Sequence, residues 1–261
     1  MESLLVIKIG GNIIDDEKKL SSFLEKFAKI PGKKILVHGG GKLATHLAGQ
    51  IGIQQQLVDG RRITDAETLK VVTMVYAGFI NKNIVASLQS LGLEAIGLCG
   101  ADGNLIKAHK RAHPTIDYGF VGDVDEINVN FLKELLDKNL SVVMAPITHN
   151  GEGQLLNTNA DTIAQEIAKA MSTHYQVRLI YSFEKSGVLR NLDDENSVIS
   201  KINPASYKKL KEDRAIFAGM IPKLDNAFTA LQSGVQKVII GKAEDLTNLI
   251  EGYAGTTIIN E

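Results

Sequence analysis

The sequence predicts an α/β protein: a mostly parallel open sheet held between two helical layers. Short β-rich runs alternate with longer segments of helical spacing along the whole chain. Several of those runs ("LLVIKI", "SVVMA", "KVII") are apolar on both faces, as strands covered on two sides must be. Glycine also recurs directly after strands, in "KIGG", "VHGGG", "LCGADG" and "IIGKA", where a βα connection has to turn tightly.

In chain order, strands are expected at Leu4–Ile9, Lys34–His38, Glu94–Cys99, Ser141–Ala145, Val177–Ser182, Lys237–Ile240 and Thr256–Ile259. The first helix, Asp16–Ile30, carries Leu20, Phe23, Leu24 and Phe27 at helical spacing. A long one follows at Asp65–Leu91, where Thr64-x-x-Glu67 reads as a capping box. Further helices are expected at Asn128–Asn139, Asn159–Met171, Pro204–Lys211 and Pro222–Ser233. Tyr118–Asn128 and Pro146–Asn157 alternate apolar and polar residues around glycine and read as two hairpins, placed to wall a substrate site. A boundary near residue 172 divides the chain into lobes 1–172 and 173–261, with no Pro- or Ser-rich linker to mark it.

Composition narrows the function. The chain has 261 residues, 44% of them hydrophobic, which is ample for a core. A formal charge of −1 removes the electrostatic signature of a nucleic-acid partner. The single cysteine, Cys99, forms no internal disulfide, and "MESLLVIKIGG" has neither a basic leader nor a membrane-length apolar run. The expectation is a cytoplasmic protein with no membrane partner.

Lys8 ends an apolar strand and precedes Gly10 and Gly11, which puts an ammonium where open α/β sheets bind ligands. A strand-end lysine reaching for water reads equally well from that position alone. "KILVHGGGKLA" contains Gly39-x-Gly41-x-x-Ala44, the spacing of a dinucleotide fingerprint, with Asp59 near the place of a ribose-binding acid. Against NAD stand the polar-flanked "QQQLVDGRRIT" that follows and the glycine pair it leaves unexplained; no Walker loop occurs. Arg62 suits a bidentate hold on a carboxylate, while Arg61 reads as a solvated neighbour. In "LLNTNAD", Asn159 is a natural N-cap and Asp161 suits the positive end of the helix dipole; Asn157 has no capping duty and is available to a polar ligand. Lys223 lies in the first turn of a Pro-started helix, where a cation is unfavourable unless an anion joins it. His109 and His113 are broken by Pro114 and do not read as a metal site, "KKLKED" reads as a wet helix face, and no nucleophile elbow is present.

Taken in order, "KIGGN", "VHGGGK", "GRRIT", "GQLLNTNAD", "SGVL" and "GMIPK" resemble the amino acid kinase family, and within it the kinases of N-acylated glutamate, from Leu4 to about Ile259. The resemblance implies the amino acid kinase fold and transfer of the γ-phosphoryl of ATP to a side-chain carboxylate, a step of arginine biosynthesis. By the same resemblance, Lys8 stabilises the group in transit, Lys223 neutralises charge toward the nucleotide, and Asp161 steadies both. Gly40 and Gly41 face the carboxylate and the phosphoryl group, Arg62 and Asn157 grip the acyl-amino acid, and Gly10 and Gly11 form the first phosphate turn. Glu184, Lys185, Ser186, Gly187, Val188 and Leu189 cover the nucleotide. Glu184 departs from the family, which has Asp there. The first lobe would hold the acylglutamate and the dimer contact, and the second would hold ATP, with Mg²⁺ carried by the phosphates. Arginine-inhibited hexameric relatives carry a helix before the first strand, so an arginine-insensitive homodimer joined through Asp65–Leu91 is expected. Acetyl is the default acyl group and succinyl the alternative. Carbamate, aspartate or uridylate phosphorylation, or non-catalytic nucleotide binding, are further alternatives.

Overall fold

Strands that bury both faces have to lie in the middle of a layered structure. The computed structural model describes residues 1–58, 61–191, 193–213, 215–216 and 220–260. Its first half runs β1 (Ser3–Ile9), α1 (Gly11–Ile14), α2 (Glu17–Lys29), β2 (Lys33–His38), α3 (Gly41–Gln50), β3 (Leu57–Val58), β4 (Arg61–Arg62), α4 (Ala66–Thr73), a π-helical segment (Met74–Ile80), α5 (Asn81–Ser90), β5 (Ala95–Leu98), β6 (Ile106–Lys110) and β7 (Gly122–Ile127). There follow α6 (Val129–Asp137), β8 (Ser141–Met144), β9 (Ile147–His149), β10 (Leu155–Asn157), α7 (Ala160–Met171), β11 (Gln176–Phe183), β12 (Lys201–Ile202), α8 (Pro204–Glu212), α9 (Ile221–Gln232), β13 (Lys237–Lys242), α10 (Leu246–Glu251) and β14 (Thr256–Ile258).

Eight strands form the main sheet in the order β12-β14-β13-β11-β1-β2-β8-β5. From β13 to β5 every pairing is parallel, while β14 runs antiparallel to β13. β1 lies inside it, paired with β11 on one side and β2 on the other. Its alternating side chains divide the core. Leu4 and Val6 pack with α6, α7 and α9 on one face, and Leu5, Ile7 and Ile9 pack with α2, α4, α5 and α10 on the other. The chain leaves β1 for β2 through α2 on one face and reaches β11 through α7 on the opposite face, so a crevice opens at the carboxyl end of β1.

Local chemistry explains the element ends. Asp16 caps α2 by accepting from the main-chain N–H groups of Lys18 and Lys19, and Asn128 and Asn159 cap α6 and α7. The long helical run is capped one residue later than its sequence predicts. Asp65, not Thr64, accepts from Thr68 N, while the Thr64 hydroxyl donates to the main-chain O of Arg62 and accepts from Asn157 Nδ2. That run is also not uniformly α: seven residues, Met74–Ile80, wind as a π-helix. Residues 66–90 are long and apolar enough to cross a membrane by length and composition, yet 44% of the apolar window is buried inside the fold.

A four-stranded sheet, β10-β9-β6-β7, stands beside the carboxyl ends of the main strands. Pro146–Asn157 is the hairpin its pattern predicts. Tyr118–Asn128 is not a hairpin by itself: it supplies only β7, whose antiparallel partner is β6. Lys107, His109 and Lys110 hide that strand from a composition reading, although Ile106 and Ala108 bury at alternate positions. His109 meets the Asp125 carboxylate at 2.6 Å.

Phe27 is fully buried and stacks near Phe23 at 6.2 Å between ring centroids. Phe27→Ala is expected to cost about 3–5 kcal/mol, read as a lower urea midpoint at constant slope. A loss below about 1 kcal/mol would mean that α2 does not anchor this face.

Candidate active site

The crevice at the end of β1 is a cleft of about 220 Å³ lined by Lys8, Gly11, the Gly39–Gly41 turn, Arg62, Asn157 and Asp161, among others. A smaller cavity of about 30 Å³ continues from it, lined by Lys8, Asp161, Tyr181, Ser182, Lys223 and Asn226. Lys8 and Asp161 belong to both and form the junction.

The ladder explains why these groups meet. Lys8 is the penultimate residue of β1, level with Tyr181 of β11 and Val37 of β2. Asn159 caps α7 by accepting from Asp161 N at 2.8 Å and Thr162 N at 3.2 Å, which aims the Asp161 carboxylate out of the first turn. That carboxylate lies 2.6 Å from Lys8 Nζ. The Tyr181 hydroxyl donates to the Asp161 main-chain O at 3.3 Å and ties β11 to the same turn. Burial and the neighbouring acid push the Tyr181 phenol above its ordinary range. Lys223 enters from α9. Burial lowers its pKa, Asp161 and Glu184 oppose that shift, and Lys8 adds to it. Three ionisable groups from β1, α7 and α9 therefore share one field, and two of them are cations.

At the far end of the cleft Arg62 is only 8% exposed. One of its terminal nitrogens donates to the Gly41 main-chain O and to Thr45 Oγ1, both at 2.9 Å, and the other donates to Gln55 Oε1. Among the described residues no carboxylate lies within ion-pair distance of it. A buried guanidinium held only by neutral acceptors is a seat for an anion. The adjacent wall is built by main-chain bonds, Thr64 N to Tyr118 O at 2.9 Å and Asn157 N to Phe120 O at 2.8 Å. Asn157 Nδ2 donates to Thr64 Oγ1 at 3.0 Å, which leaves its amide oxygen for a ligand.

Gly40, at φ +141°, holds a backbone conformation that residues with a side chain rarely adopt, and a Cβ there would also force the tip of Ile80 to move. The π-segment brings both Ile80 and Tyr76 onto the turn, and Tyr76 lines the cleft. Burial raises the Tyr76 pKa, and Arg62 partly opposes the shift. Tyr76, Val121, Thr158, Tyr181 and Asn226 are absent from the sequence reading. Asn226 alone left a signal, three residues after Lys223 on the same helix.

The candidate nucleotide residues divide. Gly10 caps α1 and Gly11 faces the cleft. Glu184 acts on Lys223, whereas Lys185, Ser186, Gly187, Val188 and Leu189 line neither cavity. Lys185 pairs with Glu195 at 2.8 Å, and Ser186 donates to that carboxylate through Oγ at 2.8 Å and N at 3.3 Å. These bonds hold the Glu195 carboxyl down near 2. Val188 N donates to Thr256 Oγ1 at 2.8 Å.

One expectation needs correction. Arg61 is not a solvated neighbour: it is half-buried and lines the cleft, with burial and Arg111 lowering its pKa and Asp123 opposing. A helix starts directly after the glycine turn, at Gly41, as a dinucleotide fingerprint requires. The objection from the segment that follows stands. After α3 the chain enters the short antiparallel β3–β4 pair, and β5, the next strand of the main sheet, is separated from β2 by β8. Asp59 lies outside the described residues, as does Gly219 of "GMIPK".

The fold is that of a phosphotransferase family. The chain belongs to the amino acid kinase family, whose model matches residues 3–242. It is 56% identical to the acetylglutamate kinase of Cytophaga hutchinsonii, over 96% of this chain and 95% of that protein. It is 53% identical to the acetylglutamate kinase of Parabacteroides distasonis, over 94% and 96%. Among solved structures, carbamate kinase from Giardia lamblia bound to AMP-PNP superposes with a TM-score of 0.72 at 16% identity, covering 100% of this chain and 99% of that one.

Asn159→Ala removes the acceptor for two main-chain N–H groups of α7. A stability loss of about 1 kcal/mol is expected by chemical denaturation; an unchanged midpoint would show that the cap contributes nothing.

Proposed function

We propose that the protein transfers the γ-phosphoryl group of ATP to the side-chain carboxylate of an N-acyl-L-glutamate, N-acetyl-L-glutamate by default, in arginine biosynthesis. The observation that carries this is the convergence of Lys8 and Lys223 on one cavity around Asp161, with anion-seeking Arg62 across the adjoining cleft. The high identity to proteins named acetylglutamate kinase over nearly the whole chain supports the same reaction.

The chemistry asks little of acids and bases. A side-chain carboxylate with a pKa of about 4.3 is ionised at neutral pH and attacks without a general base. The difficulty is bringing two anions together and spreading the charge of the transferring PO₃ unit. Arg62 and Asn157 hold the α-carboxylate end of the acceptor, and the Gly40 and Gly41 amides face the reacting carboxylate. Lys8 lies between acceptor and donor, Lys223 offsets charge that builds on the leaving diphosphate, and Asp161 keeps the two ammonium groups at working separation. Gly10 and Gly11 receive the phosphates, and Glu184 to Leu189 cover the nucleotide from the second lobe, residues 173–261. Mg²⁺ carried by the nucleotide would supply further charge neutralisation at the phosphates.

One observation favours a second acyl group. Arg61 adds a cation to the cleft beyond the one that an α-carboxylate needs, and the carboxylate of an N-succinyl group would complement it. Association as a homodimer through the 66–90 helical run is supported by Met74 and Phe79, 55% and 60% exposed on it. A cytoplasmic location follows from the biosynthetic role.

An assay coupled to ADP release on N-acetyl-, N-succinyl- and free glutamate is expected to show turnover with the acylated substrates only. ADP release indifferent to all three would overturn the reading. Lys8→Ala is expected to lower kcat about 100-fold or more, and Arg62→Ala chiefly to raise KM for the acylglutamate. Arg61→Ala should weaken N-succinylglutamate more than N-acetylglutamate; equal effects would dismiss the second reading. Light scattering after size exclusion should give twice the chain mass.

A further inference from the structure

The Gly39–Gly41 turn faces the cleft, where Arg62 holds the Gly41 carbonyl, and a second side-chain grip reaches the turn from behind. His38 ends β2 with no exposure to solvent. Its Nδ1 lies 2.9 Å from the Gly39 main-chain O, so Nδ1 carries the proton and donates. Nε2 is then an acceptor, and Asn81 Nδ2 donates to it at 3.2 Å. Asn81 is equally buried. It also donates to Val143 O at 3.0 Å, and its Oδ1 accepts from Lys82 Nζ at 3.1 Å, while the same ammonium reaches Gly97 O at 2.7 Å. The Asn81 amide thus ties the end of β2 to β8 directly, and to β5 through Lys82. Gly97 makes room for it, since a Cβ there would stand 2.1 Å from Asn81 Oδ1. Burial keeps the imidazole neutral, pushing its pKa down to about 4 against the bond to Gly39.

We propose that His38, oriented by Asn81, is a positioning residue that sets the direction of the Gly40 N–H toward the reacting groups. The peptide between Gly39 and Gly40 is planar and trans, so a grip on the Gly39 carbonyl also aims the Gly40 N–H on its opposite edge. Three consecutive glycines have no side chains to restrain them, and such a turn needs an outside hold. An amide misplaced by about 1 Å costs on the order of 100-fold in rate. The inference rests on the phosphoryl-transfer reading for its kinetic consequence but not for its structural one.

Two substitutions separate the two ring nitrogens. His38→Asn places an amide donor where Nδ1 stands, and His38→Gln reaches toward Asn81 but not back to Gly39. His38→Gln is expected to lower kcat about 10- to 100-fold with KM for ATP within about twofold. It should also speed amide exchange at Gly40 and Gly41 about tenfold, whereas His38→Asn should stay near wild type in both. If His38→Gln does not fold, Asn81→Leu should give the same pattern at smaller amplitude. Equal kcat losses in the Asn and Gln variants that follow their Tm, or wild-type exchange at the turn in His38→Gln, would overturn the proposal. Should the wild type release no ADP with any acylglutamate, the functional reading fails, and the exchange comparison still decides this one.

Discussion

The ion pair between Lys8 and Asp161 is the constraint on which the cleft depends. An ammonium at the end of a strand buried on both faces has few partners, and the carboxylate that meets it is aimed by a helix cap. Removing either member would leave the other without its ion-pair partner at the junction of the two cavities, where Lys8 is 16% and Asp161 34% exposed. The pair also fixes how β1, α7 and β11 sit together, because Tyr181 bonds to the main chain of the same turn. Lys223 is added to this frame from α9. A cation in the first turn of a helix opposes the dipole, and the shared acid is the permanent part of what offsets that.

The second end of the cleft follows a different rule. Arg62 is satisfied by uncharged oxygens from Gly41, Thr45 and Gln55, so its geometry is fixed before any ligand arrives. Preset donors need little reorganisation when charge develops, which is the main advantage of a protein site over water. The π-segment belongs to this preorganisation. By widening the helix at Met74–Ile80 it sets Tyr76 and Ile80 against the glycine turn and delivers Asn81 behind it, a use in keeping with the occurrence of π-turns at functional sites.

Much of this was legible in the residues. Seven of the eight strands of the main sheet, all but the two-residue β12, and the long helices follow from apolar periodicity, and helix starts from caps such as Asp16, Asn128 and Asn159. Of the residues brought together, Lys8, Asn157 and Lys223 each carried a local oddity: a charge on an apolar strand, a polar residue with no capping role, a cation at the wrong helix end. Asp161 suits a helix start on its own and Arg62 an exposed turn, so those two stood out only through the family resemblance. What stayed hidden lacks a local signature. β6 is stabilised by pairing across a long loop, and its lysines mask its buried alternation. The π-segment differs from an α-helix only in winding, which no composition records. Arg61 looks like any surface arginine until β3 and β4 fold it against the hairpin wall.

The pairing of β1 with β11 bears on how the molecule is made. On a ribosome the opening strand is finished first and soon finds β2, but its other hydrogen-bonding edge stays bare until β11 has emerged. At about 5–20 residues per second the intervening ~170 residues take on the order of ten to thirty seconds. Throughout that interval a long hydrophobic edge is available to the wrong neighbour. Nascent chains of this protein should therefore be clients of holdase chaperones until roughly their first two-thirds have been translated.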